Sequence, residues 1–273
     1  MNFLFWVFLI GIIIAVFQDF KRREIDNWLN LFLLFSSFFY LILISFTSKN
    51  FDIIFIFALT LFIMYFISHA LYYGRIFAGG DAKLLYALTA FFVAGSFFSS
   101  LANIVMFLFL LMISGSIYGL AYSFLVYFKN FKKVNKELSK GFENLWIRYS
   151  IALGVLFFIL GYFNFIFSVL SLFLIVFPLL FIFAKSLEKV SFTKSVSGKD
   201  LREGDWLAHD VKVGRRTIKY NFEGLTKDDL RILKNKKNVL IKEGMPFAFA
   251  FLMAFLAYVF LREWVMGFLT ILF

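Results

Sequence analysis

The chain has no cysteine and only two histidines, His69 and His209, in 273 residues. This excludes a disulfide, a cysteine-ligated zinc or iron–sulfur site and a cysteine nucleophile. The histidines lie far apart in sequence, which argues against a histidine-rich metal site. No Ser-His-Asp arrangement is visible. Charge is scarce too, at 16% of residues, and little of it falls inside the apolar runs. Strict two-residue alternation of polar and apolar residues is absent, so membrane-barrel strands are excluded. What is present is apolar: 62% of residues, against roughly 45–50% in soluble domains. Several runs reach the ~20 residues a helix needs to cross a ~30 Å hydrocarbon core. Lipid offers no partner to backbone polar groups, so uniformly apolar runs of this length predict helices. The 44 phenylalanines are read as lipid-facing and packing residues.

Eight spans are predicted, near 2–18, 28–46, 52–73, 84–100, 102–128, 149–162, 165–184 and 246–263. Gly161 and Asn164 mark a tight turn between the sixth and seventh, which stand as two crossings or as one broken, re-entrant element. No basic residue precedes the first span, whereas Lys21, Arg22 and Arg23 follow it. That order fits neither a cleaved signal peptide nor an inside N-terminus. With the N-terminus outside, all of the 28 Lys and Arg except Lys49 and Arg262 fall on the inner side. The net charge of +11 therefore reads as inner loops meeting anionic lipid headgroups, not as a nucleic-acid surface. The fold class expected is an all-α polytopic helix bundle of about eight spans, with a small α+β cytoplasmic module before the last helix. Its parts are a membrane domain over 1–184, the module over 185–245 and a final helix over 246–273.

Within 185–245, Val196, Leu201, Trp206, Leu207 and Val211 suggest short strands separated by Gly198 and Gly204. Arg216–Tyr220 and Val239–Lys242 read as further strands. Thr226 with Asp229 fits a capping box ahead of a helix carrying Leu230, Ile232 and Leu233. About 60 residues make a small core, so the module is expected to rest against the membrane domain.

Two stretches can carry chemistry. The first is Gln18-Asp19-Phe20-Lys21-Arg22-Arg23-Glu24-Ile25-Asp26-Asn27, where Asp19 closes the first helix. The second is Ala78-Gly79-Gly80-Asp81-Ala82-Lys83, just before the fourth span. Each has a bland reading as well. Asp19 suits an interfacial carboxylate balanced by Lys21–Arg23, and Asp81 suits a helix N-cap after a glycine turn. The topology joins them, since one ends a descending helix and the other begins an ascending one at similar depth. Two carboxylates that meet there share a proton. The ionised partner can then activate water while the protonated one stabilises an oxyanion. Such chemistry requires no cofactor, metal or covalent intermediate.

Asp19 closing the first helix, a short basic loop with Ile25 and Asn27, and Gly80-Asp81-x-Lys83 opening the fourth together resemble the type IV prepilin peptidases. Among these the archaeal prepilin and preflagellin peptidases are the most similar. The resemblance implies that Asp19 and Asp81 are the catalytic pair of a Gly-x-Gly-Asp aspartyl protease. Ala78 stands where the family pattern has its first glycine, with Gly79 at the variable position. Asp26 stands where bacterial members carry proline. Their cysteine-rich zinc segment has no counterpart here. The stretches 199–207 and 240–244 are similar to a module attached to some archaeal members. The implied partners are prepilin or preflagellin (archaellin) precursors, whose short basic leaders are removed at the cytoplasmic face. Glu24 and Asp26 can attract such a leader or balance Arg22 and Arg23. Lys83 can orient Asp81 or meet a headgroup phosphate. His69, in the third span, is expected to hydrogen-bond a neighbouring helix.

Two other readings make distinct demands. A presenilin or signal-peptide-peptidase type protease would need a Tyr-Asp pair in a later helix, and the chain has none. A transporter or non-catalytic assembly protein would show midplane polar groups and internal repeats, and neither is visible.

Overall fold

The computed structural model of the chain describes residues 3–214, 216–221 and 224–272. Helices dominate: α1 (Phe3–Arg22), α2 (Asn27–Ser48), α3 (Asp52–Tyr73), α4 (Gly79–Ala87), α5 (Phe97–Lys129), α6 (Phe131–Gly141), α7 (Leu145–Leu160) and α8 (Phe165–Ser191). A small strand-bearing segment follows, and α10 (Ala248–Leu272) closes the chain. Among the described residues, α1, α2, α3, α5 and α8 are long and apolar enough to cross a membrane. The pair α6 and α7 passes the same test jointly, although bent by 80°. In α10 the apolar stretch Ala248–Arg262 is shorter. These are the helices of a multi-pass membrane protein, but they number five or six rather than eight. Phe17, Phe39, Phe55, Phe109 and Phe177 point outward, as a lipid-facing surface requires.

The chain divides into two compact units, one made of 1–119 with 246–273 and the other of 120–245. In the first, α1 packs on α2 and α10, and α2 and α3 pack around α4. The main departure from expectation lies here. No single long helix covers 84–100. Instead α4 tightens into a 3-10 turn at Leu88–Phe92, the chain bends at 93–96, and α5 starts at Phe97. The reason is that this segment is wrapped by protein: Leu88, Thr89, Ala90 and Phe92 are all buried. Its freed backbone groups also find side-chain partners. Asn103 Nδ2 donates to the Phe92 carbonyl at 3.0 Å, and the Ala94 amide donates to Ser100 Oγ at 2.9 Å. A helix that is shielded and satisfied in this way can stop without reaching membrane length.

In the second unit α6 occupies what was read as an inner loop. Its basic residues, Lys132, Lys133, Lys136 and Lys140, surround a single buried position, Val134. The helix packs on α8, where Gly141 meets Ile182. The helices α7 and α8 form a hairpin. Its turn is capped by Asn164, whose side chain accepts from the Ile166 amide at 2.9 Å.

The module that follows has a sheet of β1 (Thr193–Val196), β5 (Val239–Lys242) and β2 (Trp206–Leu207), with β5 central and both pairings antiparallel. A separate ribbon pairs β3 (Val211–Val213) with β4 (Arg216–Ile218). The expected capping box opens α9 (Lys227–Leu233), with Asp229 accepting from Thr226 while the Thr226 hydroxyl accepts from Asp229. Leu201, expected in a strand, sits outside the sheet but within the core, with Leu207, Val211, Ile218, Leu225, Leu233, Val239 and Ile241. The Lys242–Glu188 ion pair at 2.6 Å ties β5 to α8.

Candidate active site

The buried positions of α1 run Leu4, Phe8, Ile12, Ala15 and Asp19, a spacing of three or four residues. Asp19 therefore ends the core-facing stripe of its helix and is only 7% exposed. The helix closes one turn later. The Arg23 amide donates to the Asp19 carbonyl at 2.9 Å, with Arg23 in the left-handed region at φ 58°. The Asp19 carboxylate meets α10 from within the same unit, where the Ala248 amide donates to Oδ2 at 2.8 Å.

Asp81 is the third residue of α4 and is likewise 7% exposed. It is not an N-cap. Ala78 occupies that position, with φ −69° and ψ 162°, and no side chain caps the helix. This extended conformation is open to any residue, so alanine in place of the family's glycine costs nothing in backbone terms. Leu84, Leu85 and Leu88 continue the buried face beyond Asp81.

The two stretches singled out in the sequence come together. Two contacts dock the start of α4 on the loop between α1 and α2. A Cβ on Gly80 would lie 3.3 Å from both the amide nitrogen and Cβ of Ile25, closer than most side chains tolerate. Lys83 Nζ donates to Asn27 Oδ1 at 2.8 Å. Lys83 thus ties α4 to the first residue of α2, a role apart from the two foreseen for it.

The remaining expected residues surround this pair. Gly79 faces the Tyr72 ring. Asp26 accepts from Arg22 at 2.6 Å and from Trp28 Nε1 at 3.0 Å, and its amide donates to Gln18 Oε1 at 2.9 Å. The Arg22 hydrogen bond, foremost, holds the Asp26 carboxyl below the usual carboxylate range. Asp26 is therefore charge-balanced by Arg22, while Glu24 is exposed beside it. His69 makes its contact within its own helix, Nδ1 to the Tyr65 carbonyl at 2.9 Å, not to a neighbouring one. Among the described residues no group of three or more His, Cys, Asp or Glu could hold a metal ion.

Sequence reasoning missed the contribution of α10. Its group at the site is a backbone amide, and an amide leaves no mark in the choice of side chain. The apolar stripe ending in a carboxylate was, by contrast, readable from the spacing of Phe8, Ile12, Ala15 and Asp19.

Residues 6–123 match the Type IV leader peptidase family, a stretch that contains both carboxylates and ends before the second unit's module. No curated protein and no solved structure matches the chain.

Proposed function

We propose, from the match of residues 6–123 to the Type IV leader peptidase family, that Asp19 and Asp81 are the catalytic pair of a membrane-embedded aspartyl endopeptidase. The observation that carries this reading is that the start of α4, with buried Asp81, docks on the loop that follows buried Asp19, through Gly80 against Ile25 and Lys83 to Asn27. Buried like charges cannot both ionise cheaply, so the pair holds one proton between them. The ionised member takes a proton from a water molecule, and the resulting hydroxide attacks the scissile carbonyl carbon. The protonated member donates to the carbonyl oxygen as charge builds there. The tetrahedral intermediate collapses, the C–N bond breaks, and the amine leaves with a proton returned by the carboxyl pair.

The substrates we propose are archaeal prepilin or preflagellin precursors, cut between a short basic leader and the hydrophobic helix that follows. Lys21, Arg22 and Arg23, which follow α1, support an inner-face site with the N-terminus outside. Glu24, exposed in the loop after α1, suits a basic leader. The lysines of α6 suit anionic headgroups.

The test is cleavage of a leader-bearing precursor by purified protein in detergent. Asp19→Asn and Asp81→Asn should each reduce product to background while leaving expression and elution profile unchanged. Wild-type turnover by either variant would sink the two-carboxylate mechanism.

A further inference from the structure

The matched family segment ends at residue 123, yet α10, far beyond it, reaches the proposed catalytic pair. Two contacts at its first residues matter. The Ala248 amide donates to Asp19 Oδ2 in a fully buried hydrogen bond. One residue earlier, the Phe247 ring packs 5.5 Å from the ring of Phe77, which leads into Ala78-Gly79-Gly80-Asp81. Phe251, one turn on, packs against Phe77 as well, at 5.7 Å. Phe247 is seated against α5 at Gly115, where a Cβ would come within 2.8 Å of the ring. The start of α10 thus touches both segments that carry a carboxylate.

We infer that the start of α10 is a positioning element of the active site, in which the Ala248 amide fixes the Asp19 carboxylate and Phe247 seats the loop that delivers Asp81. This rests on the reading of Asp19 and Asp81 given above. The physical basis is that a backbone amide can only donate, so it favours the charged, accepting form of the carboxyl it meets. Ala248 is the first residue of α10, and the first amides of a helix have no partner within it. Asp19 supplies that partner. Arg23, just past its own helix, acts on the Asp19 charge, and Asp19 in turn acts on Asp81 of α4, while Phe247, just before α10, and Ala248, its first residue, contribute amides.

The test removes the donor and keeps the shape. Lactic acid incorporated at position 248 of the full-length chain replaces the amide by an ester, leaves the methyl side chain and removes no donor of the helix's own hydrogen bonds, weakening only the Phe247 carbonyl as acceptor for Ala250. The readouts are the pH profile of kcat and kcat/KM for a membrane-inserted precursor with a short basic leader. Loss of a hydrogen bond to a charged group should move the acid limb up by about one pH unit. Turnover on that limb should fall about tenfold, with KM changed less than twofold. Phe247→Ala should lower kcat at all pH values and leave the limb in place, and Phe247→Leu should restore most of the loss. An ester variant with the wild-type limb and kcat would overturn the role given to Ala248. A Phe247→Ala variant with wild-type kcat, or one whose loss Phe247→Leu does not restore, would overturn the role given to Phe247. If the ester variant does not fold, Ala248→Pro decides: proline lacks the amide hydrogen and is tolerated at the first position of a helix, and an unmoved limb overturns the inference. Activity in Asp19→Asn would instead sink the catalytic reading itself. An inactive Asp19→Asn with an unmoved ester variant would sink the inference alone.

Discussion

Gly80 is the residue at which the two stretches of the site approach most closely. An added methyl there meets the Ile25 backbone nitrogen at 3.3 Å, whereas one on Gly79 meets only the edge of the Tyr72 ring at 3.6 Å. A ring can shift by a few tenths of an ångström, but the backbone between α1 and α2 cannot do so without moving Asp19's helix end. Gly80→Ala should therefore reduce cleavage severalfold and lower the melting temperature in detergent, with Gly79→Ala near wild type in both. Equal behaviour of the two variants would show that the approach at Ile25 is unimportant. Asp19 and the Gly-Asp pair were legible in the sequence because a carboxylate ending an apolar stripe and a glycine pair before a helix both leave composition signals. The bond from Lys83 to Asn27 was not, because it joins residues 56 positions apart through side chains common at any interface.

Among the elements, α4 and the 3-10 turn after it show why apolar length alone does not define a span. The apolar run over 84–93 begins within α4, yet α1, α2 and α3 shield it, and Asn103 and Ser100 satisfy the backbone where it bends. Replacing Asn103 by leucine would leave the Phe92 carbonyl unpaired in an apolar setting. We expect a loss of about 1–3 kcal/mol, read as a lower midpoint in thermal unfolding of the detergent-solubilised protein. Ser100→Ala should act in the same direction but less. In the module, the capping box of α9 satisfies two otherwise unpaired groups. Thr226→Ala should weaken that helix by about 1 kcal/mol, visible as faster amide exchange confined to 227–233. The capping box and β5 were legible because cap chemistry and strand alternation are local. The amphipathic α6 was missed because a lysine-rich stretch between apolar runs has the composition of a loop, and only its packing on α8 makes it a helix face.

For the whole molecule, the lack of cysteine turns topology into a direct experiment. Single-cysteine variants Lys49→Cys and Lys199→Cys place one thiol at the end of α2 and one in the exposed part of the module. With the orientation proposed, an impermeant maleimide should label the first in right-side-out vesicles and the second only after the vesicles are opened. The reverse pattern would place the proposed catalytic pair on the opposite face and exclude cytoplasmic leaders as substrates.

By itself the sequence determined the membrane class and the helical content, because lipid imposes helix length and apolarity on the chain directly. It also determined the module's strands and capped helix, through local alternation and cap chemistry. Only the tertiary structure decided that the fourth apolar run stops short, that Gly80 meets Ile25 and that α10 brings an amide to Asp19. Each of these depends on groups distant in sequence satisfying one another's backbone or filling one another's space. Local composition carries no record of such partners.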